Sequence, residues 1–270
     1  KLNTIAQNTD SYLKSVFSKQ NSKSHLIKPM KYGVFSGGKR FRSAIVVNTG
    51  KIFGINYKKL IIVGAAVECL HSYSLMHDDL PSMDNDNFRR GKPSTHKKFN
   101  EFTAILAGNS LFALAFEILS GKDLKLSQSI KNELIRTLAN YSGYSGLAGG
   151  QYYDLTFEKK NISKKNIINI QKKKTGQLFA FCCESAAIIK GTSYKKRKKL
   201  KDIGLSIGLL FQVVDDLIDC RSDGFLIGRS TGSDKEKSKA TLVNLLGYEE
   251  TLNFSKNLKK KIDKKIEKYG

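Results

Sequence analysis

Three prolines occur in the 270-residue chain, at Pro29, Pro81 and Pro93, and from Lys97 to Gly270 there is none. A helix interior excludes proline, because the ring removes an N–H and clashes with the preceding turn. A stretch of this length without proline therefore points to a mostly helical protein. Helix-length apolar patterning runs over roughly 43–54, 60–79, 101–120, 126–142, 163–190, 195–220 and 250–268. The segment Ile61 to Leu70 is apolar on nearly all sides, as is Gly204 to Ile218, so both predict central helices. By contrast, Leu252, Leu258, Ile262 and Ile266 stand among lysines, the pattern of an amphipathic outer helix. Alternating strand patterns are scarce, and no linker or repeat stands out. The expectation is one all-α domain over residues 1–270.

Apolar residues make up 40% of the chain, enough for a globular core. No membrane span is expected, since no run of about 18 apolar residues stands out. Lys1 to Ile5 lacks the charged start and apolar stretch of a secretory signal. The chain does not open on Met, so further native residues are expected before Lys1. The four cysteines, Cys69, Cys182, Cys183 and Cys220, form no C-x-x-C pair, and free thiols in a reducing cytoplasm fit all four. The net charge of +23 fits nucleic acid, an anionic membrane or a polyanionic substrate. The lysines are widely spread and not interleaved with aromatics, which favours a solvated surface over a nucleic-acid partner.

Two acidic motifs close apolar segments. The first is Asp78-Asp79-Leu80-Pro81-Ser82-Met83-Asp84-Asn85-Asp86; the second is Asp215-Asp216-Leu217-Ile218-Asp219. Asp215 and Asp219 are four apart and share a helix face, with Asp216 about 100° round. Two carboxylates about 4 Å apart repel by about 4 kcal/mol at an intermediate dielectric. A cluster beside apolar sequence therefore calls for a counterion, and all-oxygen ligands suit magnesium. In the first motif, Asp84 lies six residues beyond Asp78 with Pro81 between them, so the helix must end or bend there. One such motif reads equally as an acidic helix-to-loop junction; two in one chain weigh against that.

Gly33 and Gly37-Gly38-Lys39 match the spacing of a nucleotide P-loop, but Arg40 replaces its magnesium-holding hydroxyl and no buried strand precedes it. A glycine turn delivering Lys39 and Arg42 to a phosphate remains sensible chemistry, beside the plain alternative of an exposed helix start. Arg89 and Arg90 suit diphosphate recognition, or else surface pairing with Asp84 and Asp86. His71 lies seven residues before Asp78 on one helix face, so it reads as a core histidine or as a neighbour of the same site.

In order along the chain, these motifs resemble the trans-type short-chain prenyl diphosphate synthase family, and bacterial farnesyl-type enzymes within it. The resemblance runs from about residue 32 to 247. It includes Gly38-Lys39-Arg40 with Arg42, Asp78-Asp79-x4-Asp84, Arg89-Arg90-Gly91 and Pro93 to His96. Gly150-Gln151-x2-Asp154, Lys174-Thr175-Gly176, Phe211-Gln212 and Asp215-Asp216-x2-Asp219 complete the set. The resemblance implies a helical barrel of the isoprenoid synthase type around a deep cavity, and a cytoplasmic homodimer. It implies about three magnesium ions held by Asp78, Asp79, Asp84, Asp215, Asp216 and Asp219. It implies that Arg89, Lys174 and Arg229 or Lys235 hold the allylic diphosphate. Isopentenyl diphosphate would bind through Lys39, Arg42, His71 and Arg90, while Thr175 and Gln212 steady the cation. Tyr73 and Ser74, just before the first motif, would limit chain length; a C15 product is expected, with C10 and C20 as alternatives.

Two departures stand out. Ser43 occupies a position where the family commonly has proline, and Arg229-Ser230-Thr231-Gly232 replaces a Lys-rich segment. A terpene cyclase would not be expected to carry Gly38-Lys39-Arg40 and Lys174-Thr175, and a catalytically dead relative would have lost an acidic motif.

Overall fold

The computed structural model describes residues 1–20, 24–158, 160, 162–221 and 239–269. They form two compact units, Lys1–Ile135 and Arg136–Gly270.

The first unit holds α1 (Leu2–Ser18), α2 (Ile27–Val34), α3 (Phe41–Ile52), α4 (Tyr57–Asp78), α5 (Thr95–Lys98) and α6 (Glu101–Ser120). Helix α7 (Gln128–Ser142) spans the boundary between the units. Within the first unit α4 packs against α1, α2, α3 and α6. Its Leu60, Val63, Ala65, Ala66, Val67, Cys69 and Leu70 are wholly buried, so the all-apolar stretch is indeed a central helix. Local sequence fixes the helix starts: the Asn56 side chain accepts from the Lys58 N–H and Asn100 from the Thr103 N–H, occupying amides the first turn cannot pair.

By length and composition α4 and α6 are each apolar enough to cross a membrane, contrary to the sequence expectation. Core helices pass the same test, and α4 is mostly buried. The only strands among the described residues, β1 (Phe88–Arg89) and β2 (Lys92–Pro93), form a hairpin that the patterning had not indicated.

The second unit holds α8 (Leu147–Thr156), α9 (Lys164–Gln171), α10 (Gln177–Ile189), α11 (Tyr194–Arg221), α12 (Leu242–Leu246) and α13 (Tyr248–Ile266). The segment expected as one helix over 163–190 carries a π-helical turn, Lys172–Gly176, between α9 and α10. Such turns insert an extra residue and are frequent at functional sites. Helix α13 lays Ile262, Leu252 and Leu258 inward, as the lysine-flanked pattern required, whereas Ile266 is exposed. Helix α11 corrects the reading of 204–218 as buried all round. Leu209, Val213 and Leu217 are buried, whereas Phe211, Val214 and Ile218 recur at helical spacing on an exposed face. Apolar composition there marks two faces with different fates.

Among the four cysteines Cys69, Cys182 and Cys183 are buried and Cys220 is exposed. Helices α1, α2, α5, α8 and α12 lie outside the sequence-predicted segments; all but α1 are short, whereas α1 buries Ile5, Thr9, Leu13 and Phe17 at a regular helical spacing that the sequence reading passed over.

Candidate active site

In the first unit, α4 ends at Asp78 and the chain doubles back through Pro81. The Asp84 N–H donates to the Asp78 carbonyl at 2.8 Å, and the Asp86 N–H to the Asp79 carbonyl at 3.2 Å. Asn85 takes a left-handed conformation, φ 52°, to close the turn. The six-residue spacing that a straight helix would spread over different faces is thus brought back to the helix end.

Asp79 is buried, and the Arg89 guanidinium donates to it through Nε at 2.9 Å and through Nη2, which also reaches Asp86 at 3.3 Å. Burial pushes the Asp79 carboxyl above its ordinary range, with Arg89 opposing. Burial also works against the charge on Arg89, but Asp79, Asp86 and Asp78 together hold its pKa above the usual value. Asp79 and Arg89 therefore brace the acidic turn from within.

The glycine turn and the arginine hairpin meet. Arg90 and Gly91 form the two-residue hairpin loop with φ 55° and 74°, the positive pair that matches strand twist. Arg90 holds this unfavourable conformation while its guanidinium donates to the Gly37 carbonyl. Gly37 and Gly38 have φ 109° and 111°, and a Cβ on Gly38 would stand 2.7 Å from Arg90 Cζ, so the turn requires glycine. The turn joins two helices, α2 and α3, which removes the strand–loop–helix context of a P-loop.

Beside it Arg40 is buried. It donates to Asp10 at 2.7 Å and to the Val34 carbonyl at 2.7 Å, and Glu68 lies 3.9 Å away. Arg40 thus anchors the turn, while Lys39 projects outward and exposed. The Ser43 departure has a physical reason: its N–H, which proline would lack, donates to Glu68 at 3.0 Å, and its hydroxyl meets Thr9 at 2.7 Å.

His71 is half-buried on α4. Burial, followed by Arg42, Arg90, Arg40 and Arg89, drives its pKa well below the ordinary value, so it is a neutral imidazole within an arginine cluster. Tyr73 is half-buried and packs against His77 and Phe112. Ser74 is buried and its hydroxyl donates to the His71 carbonyl at 2.9 Å, which leaves Tyr73 the more available of the two chain-length candidates.

In the second unit the π turn presents Lys174 and Thr175. Lys174 pairs with Asp154 at 2.6 Å, and Gly150 in α8 lets that helix close on the Lys174 backbone. Thr175 donates to Gln212 Oε1 at 2.8 Å, and Gln212 Nε2 donates to Asp216 Oδ1 at 2.8 Å. The other Asp216 oxygen accepts from Gln171 at 2.9 Å. Gln171 was not among the sequence candidates; no local motif marks it, because its partner lies 45 residues away. Asp216 is buried in this chain of amides, whereas Asp215, one residue earlier, is half-buried on a different helix face. Asp219 is buried near the end of α11. Arg229 and Lys235 lie outside the described residues.

Among the described residues no three or more His, Cys, Asp or Glu side chains gather into a ready-made metal cage. Hard oxygen donors in small groups suit a cation that keeps waters and shares its coordination with phosphate oxygens, which is the habit of magnesium.

A helical fold with paired acidic motifs and separate basic clusters defines a class of diphosphate-handling enzyme, and comparison identifies it. The polyprenyl synthetase family profile matches residues 23–269, and the chain belongs to that family of prenyltransferases. It is 40% identical over 235 residues to farnesyl diphosphate synthase of Escherichia coli, covering 86% of this chain and 79% of the relative. It is 35% identical over 257 residues to farnesyl diphosphate synthase of Geobacillus stearothermophilus, covering 94% and 86%. Among solved structures, an FPP/GFPP synthase from Zymomonas mobilis superposes with TM-score 0.86 at 36% identity, covering 100% of this chain and 92% of that one. A geranyltransferase from Helicobacter pylori, solved with magnesium and isoprenyl diphosphate, gives 0.85 at 31% identity, covering 98% and 90%.

Proposed function

We propose that this chain joins an allylic diphosphate, dimethylallyl or geranyl, head to tail with isopentenyl diphosphate, yielding farnesyl diphosphate, and that residues 1–270 act as one catalytic domain. The observation that carries this reading is the separation of charge in the first unit. A closed acidic turn stands at the end of α4, and a distinct basic cluster of Arg42 and Arg90 around the neutral His71 lies beside the glycine turn that exposes Lys39. One diphosphate needs a cation between it and carboxylates; the other needs only bases.

Asp78, Asp84, Asp215 and Asp219 would hold about three magnesium ions, with Asp79 and Asp216 supporting them through Arg89, Gln171 and Gln212. Bound magnesium would draw negative charge onto the leaving diphosphate. Lys174, with Arg229 or Lys235, would grip the same group, while Lys39, Arg42, His71 and Arg90 orient isopentenyl diphosphate. The neutral His71 donates a hydrogen bond without adding to the local positive charge. As the allylic C–O bond breaks, the hydroxyl of Thr175 and the amide of Gln212 turn partial negative charge toward the developing carbocation. The isopentenyl double bond supplies the electron pair of the new C–C bond, and the proton lost in restoring the alkene passes to the departing diphosphate. Apolar side chains keep water from the cation.

A homodimer is part of this reading. Phe102, Ile105 and Leu106 stand exposed on one side of α6, a face suited to a second copy. Sedimentation should give twice the chain mass.

The test is incubation with dimethylallyl and isopentenyl diphosphates, with magnesium or with chelator, followed by chromatography. Magnesium-dependent C15 product is expected; no elongation in either condition refutes the proposal. Asp78→Ala and Asp215→Ala should each lower turnover by about 10²-fold or more with circular dichroism unchanged, consistent with losing charge stabilisation at the reacting centre. Near-normal rates would remove those residues from the mechanism.

A further inference from the structure

Tyr73 can act as a stop for the growing chain only if it cannot rotate aside, and what restrains it comes largely from a different helix. Its ring meets Phe112 of α6 edge-on at 5.1 Å between centroids and 63°. Phe112 is itself backed by Phe116, one turn further along α6, at 5.0 Å and 67°. On its other side Tyr73 meets His77, its i+4 neighbour on α4, at 4.6 Å and 64°. His77 is fixed in turn: its Nε2 lies 3.2 Å from the Ile105 carbonyl, and its ring rests on Gly108, where an added Cβ would stand 2.6 Å from His77 Cδ2. The same Cβ would lie 3.5 Å from Tyr73 Cδ2. Edge-to-face packing of this kind favours one ring orientation over its neighbours.

We propose that Phe112, braced by Phe116, and Gly108, through His77, are positioning residues that lock Tyr73, so that product length is set by α6 as much as by α4. This inference rests on the prenyl-elongation reading above. The two sides of the clamp make opposite predictions. Removing the Phe112 ring frees Tyr73 to swing toward α6 and deepens the space beyond it. Adding a methyl group at Gly108 drives His77 toward Tyr73 and makes that space shallower.

The experiment incubates wild type, Phe112→Ala, Phe112→Leu and Gly108→Ala with radiolabelled isopentenyl diphosphate and dimethylallyl diphosphate in magnesium. Chain lengths, total turnover and melting temperature are read for each. Phe112→Ala should raise the ratio of longer product to the wild-type product by about tenfold. Phe112→Leu, which keeps most of the bulk, should restore the wild-type ratio and also serves should the alanine variant fold poorly. Gly108→Ala should shift the profile toward the product one isoprene unit shorter. A purely structural role would lower melting temperature and turnover while leaving the length distribution unchanged, and that result in both Phe112 variants overturns the inference. The two readings fail differently: no elongation by wild type sinks the proposed reaction, whereas an elongating wild type with unmoved variants sinks only the clamp.

Discussion

Gly150→Ala tests how α8 places the Lys174–Thr175 turn. Gly150 lies inside a helix, so alanine by itself would favour that helix by about 1 kcal/mol. The environment opposes it. A Cβ there would overlap the Lys174 backbone nitrogen and stand 2.6 Å from Lys174 Cα and 2.8 Å from the Lys173 carbonyl carbon. Carbon atoms rest at about 3.5–4.0 Å, so α8 and the π turn would have to part by about 1 Å. The neighbours are backbone atoms, which cannot rotate away. Overpacking of this kind costs about 1–3 kcal/mol, enough to outweigh the gain in propensity. A misplacement of about 1 Å in a positioned group costs about 10²-fold in rate. The Lys174–Asp154 bond and the Thr175–Gln212 bond both hang from the displaced turn. The variant should therefore melt a few degrees lower, at about 2–4 °C per kcal/mol for a chain of this size, and lose about 10²-fold in kcat. Thermal unfolding followed by circular dichroism and steady-state kinetics read both quantities. A variant that melts at or above wild type and turns over normally would refute the idea that the two backbones need glycine between them.

Glu68→Ala removes a buried partner from Arg40 and the acceptor of the Ser43 N–H, and should lower stability by about 3 kcal/mol, the low end for a broken buried pair because Asp10 remains; urea unfolding measures it, and a loss under 1 kcal/mol would show that the pair does not anchor the glycine turn. The folded-state pKa values of His71, His77 and His96 all lie below the ordinary 6.5, burial being the first cause in each. As pH falls below about 6.5 the unfolded chain binds these protons first, so stability contributed above that pH is lost. Urea midpoints at pH 7.5 and 5.5 should show this, and His71→Gln should reduce the difference; an equal difference in both proteins would place the effect elsewhere.

Much of the candidate site could be read from spacing. Asp215 and Asp219 had to share a face because four residues make about one helical turn, and Asp78 and Asp84 required a break because six residues with an internal proline do not. The basic residues at Lys39, Arg42, Arg89 and Arg90 were recognisable by their order alone. The division of labour among them was not. Asp79 and Asp215 look alike in sequence, yet Asp79 is buried against Arg89 and Asp215 is half-exposed, because burial depends on which neighbours pack around each helix. Composition likewise suggested that Phe211, Val214 and Ile218 were core, though each is partly exposed.

The chain's own order of residues determined the helical class, the long central α4, the two acidic motifs and the glycine turn, since periodicity, proline exclusion and turn chemistry act over a few neighbouring residues. Tertiary structure alone decided that Arg90 closes on Gly37, that Gln171 reaches Asp216, and that Phe112 stands behind Tyr73. Those contacts join positions tens of residues apart, and their geometry comes from how side chains fill space between packed helices, which no local pattern encodes.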